Sequence, residues 1–163
     1  MSFNDNDLAL AASVGKLLLA RRHTLVTAES CTGGLVAALI TEINGSSQWF
    51  DRGFVTYSNQ SKQQMLSISN QSLLNYGAVS KQIAAQMAEQ AVIRSDANLA
   101  VSITGIAGPA GGSDEKPVGT VWFGWKFVDQ LVQTQHQFFS GSRAAIRKQA
   151  VRFALQGIVS QYS

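Results

Sequence analysis

The sequence predicts a three-layer α/β/α fold on a mixed β-sheet, residues 1–163 forming one domain, and three observations carry this expectation. Two short apolar, β-branched runs, residues 24–28 and 99–103, each lead directly into a glycine-rich polar loop, as strands buried on both faces do at their carboxyl ends. Two further strand-like runs, residues 119–128 and 131–139, are separated by Asp129 and Gln130 alone, which requires an antiparallel hairpin. Helical apolar spacing marks both ends of the chain.

Taken in order, residues 7–22 place Leu10, Val14, Leu17 and Leu18 on one face of an opening helix. The strand at 24–28 (TLVTA) stops at Glu29-Ser30-Cys31-Thr32-Gly33-Gly34, and residues 35–43 read as a helix closed by Asn44-Gly45. Residues 49–58 (WFDRGFVTYS) are aromatic and β-branched and read as a strand, with a short helix over 63–66. Ser80 is a suitable N-cap for a helix to about Arg94 whose inner face is Ile83, Ala84, Met87, Ala91 and Val92. After the strand at 99–103 a loop runs to Pro117. The last helix starts near Ser142 and turns Ile146, Ala150, Phe153, Ala154 and Ile158 inward.

Composition narrows the function classes. With 45% hydrophobic and 14% charged residues the 163-residue chain has the make-up of a folded globule. The single cysteine, Cys31, has no partner for an internal disulfide or a zinc cluster, which fits a reducing, cytoplasmic setting. The first residues are polar and acidic, unlike an export signal, and no apolar run approaches the roughly 20 residues of a membrane span. A net charge of +3 without a basic stripe gives no footprint for nucleic acid. No membrane or nucleic-acid partner is expected; residues 142–163 nevertheless carry Arg143, Arg147, Lys148 and Arg152 with no acid, a segment suited to meeting an anion.

Chemistry is expected in the loops beyond the strand ends. Gly33 and Gly34 begin a helix whose N–H groups suit a phosphate or an oxyanion. Beside them Ser30, Cys31 and Thr32 are all candidate nucleophiles, although Ser30 or Thr32 would equally serve as a helix cap. His23 and His136 lie beside neither loop, so lysine is the alternative base. Lys62 follows a strand end, where burial would lower its pKa, and Tyr57 could relay a proton or hold the hydroxyl; a solvated surface lysine is the plain alternative. Five glycines from Thr104 through Gly119 allow close backbone approach to a ligand, and the loop matches neither a Walker motif nor GxGxxG. Arg143 and Arg147, four apart, share a helix face, and a guanidinium at that helix start suits a phosphate.

Five segments in order, TAESCTGG (27–34), GSSQWFDRGFVTYSNQSK (45–62), GAVS (77–80), SITGIAGPAGGSDEKPVGTVWFG (102–124) and FSGSRAAIR (139–147), resemble the C-terminal domain of the CinA family, in particular its stand-alone nicotinamide-nucleotide amidases. The resemblance covers nearly the whole chain. It implies hydrolysis of nicotinamide mononucleotide to nicotinic acid mononucleotide and ammonia in pyridine-nucleotide recycling, with no metal or other cofactor, Ser30 attacking and Tyr57 and Lys62 assisting. On that basis Thr32, Gly33 and Gly34 are expected to contact the substrate as donors, Thr104, Gly105, Ala107 and Gly108 to line the nucleotide, and Arg143 to meet its phosphate. Larger family members carry an added N-terminal domain linked to pyrophosphate chemistry; this chain starts where that domain would end. A homodimer is the default for an enzyme of this size. Two rival readings stand: Cys31 as nucleophile with Glu29 and Lys62, and a non-catalytic nucleotide-binding module acting in competence or stress.

Overall fold

The computed structural model describes residues 1–163. Strands β1 (Leu25–Glu29), β2 (Phe50–Val55), β3 (Leu99–Gly105), β4 (Thr120–Phe127) and β5 (Gln133–Phe138) form one sheet in the order β2-β1-β3-β4-β5. β1 is parallel to β2 and β3, whereas β4 is antiparallel to both β3 and β5, so the sheet is mixed as the hairpin spacing requires. Helices α1 (Asp5–Arg21), α2 (Leu35–Thr41) and α6 (Arg143–Gln161) cover one face, and α3 (Asn59–Leu66), α4 (Asn70–Tyr76) and α5 (Lys81–Ile93) the other. This is the expected three-layer arrangement.

Side-chain alternation decides what each face receives. Leu25, Leu99, Val101, Ile103, Val121 and Phe123 pack beneath α1 and α6, while Val26, Ala28 and Ala100 meet Leu66, Ile83 and Met87 on the other side. Gly124 lets α5 lie directly on the sheet: a Cβ there would stand 2.7 Å from the Ala84 carbonyl oxygen. The predicted inner face of α5 is buried throughout.

Differences from the sequence reading lie at short helices and at strand ends. α3 begins at Asn59, four residues before the expected start, because Ser58 and Ser61 form a reciprocal capping box. α4 was not expected; it is a seven-residue helix capped by Ser69 with Leu73 as its one buried residue, too little apolar spacing to register as periodic. β2 stops at Val55, which leaves Thr56 and Tyr57 outside the ladder.

The first helix is tied to the last by a carboxylate. Asp7 is buried and accepts from Arg152 and Lys148 of α6 and from the Asn4 N–H. Burial raises its pKa, but the hydrogen bonds from Arg152, Asn4 and Lys148 outweigh this and hold it at about 2, below its usual 3.8. A depressed carboxylate stabilises the fold above its unfolded pKa and ceases to do so as pH falls through the folded value. Asp7→Asn is therefore expected to reduce stability at pH 7 by about 1–2 kcal/mol, allowing for the partial exposure of both cations. Denaturant titrations should show the gap between variant and parent closing as pH falls from 3.8 towards 2; a gap that stays constant there would refute this reading.

Candidate active site

β1 and β3 are adjacent and parallel, yet the chain leaves them in opposite directions, β1 towards β2 and β3 towards β4. Ligand crevices form at such a reversal, beyond the carboxyl ends. A cavity of 240 Å³ opens there, lined by Ser30 from the end of β1, Thr104 and Gly105 from the end of β3, and Tyr57, Lys62 and Arg143 from the surrounding elements.

Ser30 continues the alternation of Val26 and Ala28, so its side chain faces the α3 layer; its N–H donates to the Ile103 carbonyl at 2.9 Å. Lys62, on the first turns of α3, is 1% exposed and reaches under this residue. Its Nζ lies 2.8 Å from Ser30 Oγ and 2.8 Å from the Thr56 carbonyl oxygen. No carboxylate forms an ion pair with it. Burial lowers its pKa from 10.5 to about 8, against a smaller opposing effect of the Cys31 thiol. A neutral amine in hydrogen-bond contact with a hydroxyl can accept that hydroxyl's proton.

The neighbouring expectations fare differently. The Tyr57 hydroxyl does not reach Ser30 or Lys62; at 59% exposure it stands at the mouth and accepts from Arg143 Nη2 at 2.8 Å. Arg143 Nη1 donates to the Gly108 carbonyl at 2.9 Å, so the guanidinium straps the β2 loop to the β3 loop. Thr104 is buried with its hydroxyl on the Ala78 carbonyl, and Gly105 and Ala107 line the cavity; Gly108 lies behind Arg143.

Thr32, Gly33 and Gly34 are not brought to the cavity wall. Thr32 Oγ1 donates to Glu29 at 2.7 Å, and the Gly33 N–H donates to the Ser30 carbonyl at 3.0 Å. Glu29 points to the face opposite Ser30, where its two carboxylate oxygens accept from the Val36 and Ala37 N–H groups. The expectation of a helix start open to a ligand anion is corrected on this point: the anion at the start of α2 is the chain's own Glu29.

The same contacts bear on Cys31. Its thiol is buried in the core beneath α1 and α6, and burial pushes its pKa up to about 12. Its proposed partner Glu29 is committed elsewhere. His23 pairs with Tyr162 ahead of β1, and His136 of β5 lies tilted against Trp122 of β4, ring centroids 4.7 Å apart. No group of metal-ligating side chains is assembled.

Sequence reasoning missed the Thr56 carbonyl, Asn59, Ala78 and Val79 as parts of the site, and Arg147 as a support beneath it. Ala78 and Val79 stood within the noted GAVS segment. A main-chain acceptor such as Thr56 carries no residue-type signal at all.

The same fold recurs in solved proteins. The competence/damage inducible protein CihA of Agrobacterium tumefaciens superposes with a TM-score of 0.96 at 43% identity, covering 100% of this chain and 99% of that one. A competence-damaged protein (CinA) superfamily structure from Escherichia coli does so with a TM-score of 0.91 at 39% identity, over 99% and 94% of the two chains. Fold and site together thus define a protein of the CinA superfamily. The family model of the CinA C-terminal domain matches residues 7–162, and the chain belongs to that family. The nicotinamide-nucleotide amidohydrolase PncC of Escherichia coli (strain K12) is 51% identical over 155 residues, covering 95% of this chain and 94% of the relative. Its namesake from Enterobacter agglomerans is 52% identical over 153 residues, 94% and 93% of the two chains. The protein is an enzyme. No helix is long and apolar enough to cross a membrane.

Proposed function

We propose that this protein hydrolyses the carboxamide of nicotinamide mononucleotide, giving nicotinic acid mononucleotide and ammonia, through Ser30 as nucleophile and Lys62 as base. The observation that carries the proposal is the 2.8 Å contact between a buried, acid-free lysine amine and the hydroxyl at the end of β1. Ser30 Oγ adds to the amide carbon as its proton passes to Lys62. The tetrahedral intermediate expels ammonia, which takes that proton, and an ester to Ser30 remains. Water then attacks the ester with Lys62 again accepting the proton; the bond from the acyl carbon to Ser30 Oγ breaks, Lys62 returns that proton to Oγ, and the product leaves as the carboxylate.

At 240 Å³ the cavity is below the usual range for a whole drug-sized ligand. It suits the pyridine ring, with ribose and phosphate lying over the exposed mouth. Arg143 uses two of its five donors on Gly108 and Tyr57, and the others are assigned to the phosphate. Tyr57 then acts by holding Arg143. Thr104, Gly105 and Ala107 form the wall against the ring, while Thr32, Gly33 and Gly34 shape the nucleophile turn.

Purified protein incubated with nicotinamide mononucleotide should release one ammonia per nicotinic acid mononucleotide formed, and free nicotinamide should be turned over far more slowly. Binding of the mononucleotide without ammonia would instead support the non-catalytic module.

A further inference from the structure

The sheet ends in two edge strands, β2 and β5, and the chain treats them differently. An open edge offers unpaired main-chain groups to any second strand, and charged side chains or a bulge are the usual protection. β2 has both: Asp51 and Arg52 form an ion pair at 2.6 Å within the strand, and the register against β1 shifts between Leu25 and Val26. β5 has neither. Leu131 to Ser142 contains no Asp, Glu, Lys, Arg or Pro, the register against β4 runs without a break, and Phe138 is 58% exposed.

The register also decides which groups stand open. The Phe139 N–H donates to the Gly119 carbonyl at 2.9 Å. Alternation then turns the main-chain groups of Gln133, Gln135 and Gln137 towards β4, and those of Thr134, His136 and Phe138 outward. None of these outward groups has a main-chain partner elsewhere in the chain. The side chains of the same three residues share one face, where the His136 ring lies 5.6 Å from that of Phe138.

Such a strand is its own complement. When two copies run antiparallel about His136, Thr134 stands opposite Phe138 of the second copy and His136 opposite itself. Each of these pairs can exchange two main-chain hydrogen bonds. An uncharged strand meets itself without like-charge repulsion, and a two-fold axis closes the contact on itself. A charged peptide, by contrast, finds no ion-pair partner on β5.

We propose that β5 is a self-association edge, to which a second copy of this chain adds its own β5, antiparallel and centred on His136, joining the two sheets into one. None of Thr134, His136 and Phe138 lines the cleft at Ser30, so this contact is independent of the reaction proposed there.

Sedimentation equilibrium tests it. The parent should be a dimer. Thr134→Lys combined with Phe138→Lys sets like charges opposite each other across the axis, and should raise the dimer dissociation constant about 10-fold or more. Thr134→Lys combined with Phe138→Glu sets opposite charges there and should restore the dimer. Within one strand these positions are about 13 Å apart, so the two variants differ only if the strands pair in this register. His136→Cys places two thiols on residues about 5.5 Å apart between Cα atoms, within disulfide reach, and dissolved oxygen should convert it to a covalent dimer. The parent, whose one cysteine is buried, should give none. Melting curves establish that each variant folds, and the cysteine variant decides alone if the charged ones do not. A monomeric parent, equal dissociation constants for the two charge variants, or a cysteine variant that stays uncrosslinked overturns the assignment.

Discussion

Ser30→Ala is expected to lower kcat on nicotinamide mononucleotide by roughly 10⁴- to 10⁶-fold, the loss seen when a nucleophile acting as part of a unit is removed. Cys31→Ala should stay within a few-fold of the parent. The contrast follows from the alternation at the end of β1. Ser30 faces the α3 layer and touches Lys62, whereas the next side chain turns into the core, where burial holds the thiol protonated at about 12. A thiol must ionise to attack, and burial outweighs the lowering effects of the Cys31 N–H, Arg147 and Lys62 on this one. Both substitutions remove few atoms, so melting temperatures can confirm intact folds. Retained turnover in Ser30→Ala together with its loss in Cys31→Ala would reverse the assignment.

Lys62→Met should abolish measurable turnover and stabilise the protein at the same time. At pH values below about 8 the parent buries a charged amine with no acid beside it. The fall from 10.5 to about 8 corresponds to about 3 kcal/mol acting against the charged folded form. Methionine matches the volume but leaves the Thr56 carbonyl without its donor, which offsets about 1–2 kcal/mol. A net gain of about 1–2 kcal/mol at pH 7 is the expected result. The sign reverses with pH in a defined window. Between about 8 and 10.5 the folded lysine is neutral while the unfolded one still holds its proton, so the parent's disadvantage shrinks as pH rises and is gone above 10.5. The same titration governs catalysis: kcat/KM should rise tenfold per pH unit up to about 8 and then level off. A variant less stable than the parent at pH 7, or a parent profile flat between pH 6 and 9, would contradict a buried neutral base.

The parts of this site that were legible in the sequence are those that depend on local order. A β-branched run that stops at a polar cluster places Ser30 at a strand end, and Lys62 follows the next strand by a fixed helical offset. What lies across the sheet was less visible. Period-two alternation puts Glu29 and Ser30 on opposite faces, and this was available in principle. That the Glu29 carboxylate fills the start of α2 depends on where that helix docks, which no local pattern records. Tyr57 was placed near the hydroxyl because it is close in sequence to Lys62; its actual partner, Arg143, is 86 residues away. Arg143 and Arg147 share a helix face, yet one meets the mouth loops and the other the carbonyls of Cys31 and Thr32, because Arg143 opens α6 and Arg147 lies one turn further along it.

The Glu29 carboxylate has one more effect on how the protein handles charge. Because the Glu29 carboxylate takes the Val36 and Ala37 N–H groups, the start of α2 offers no seat to dissolved phosphate or sulfate. On the function proposed above, the grip on an anionic substrate falls to Arg143 at the rim, which is held by Gly108 and Tyr57 and makes no contact with Ser30.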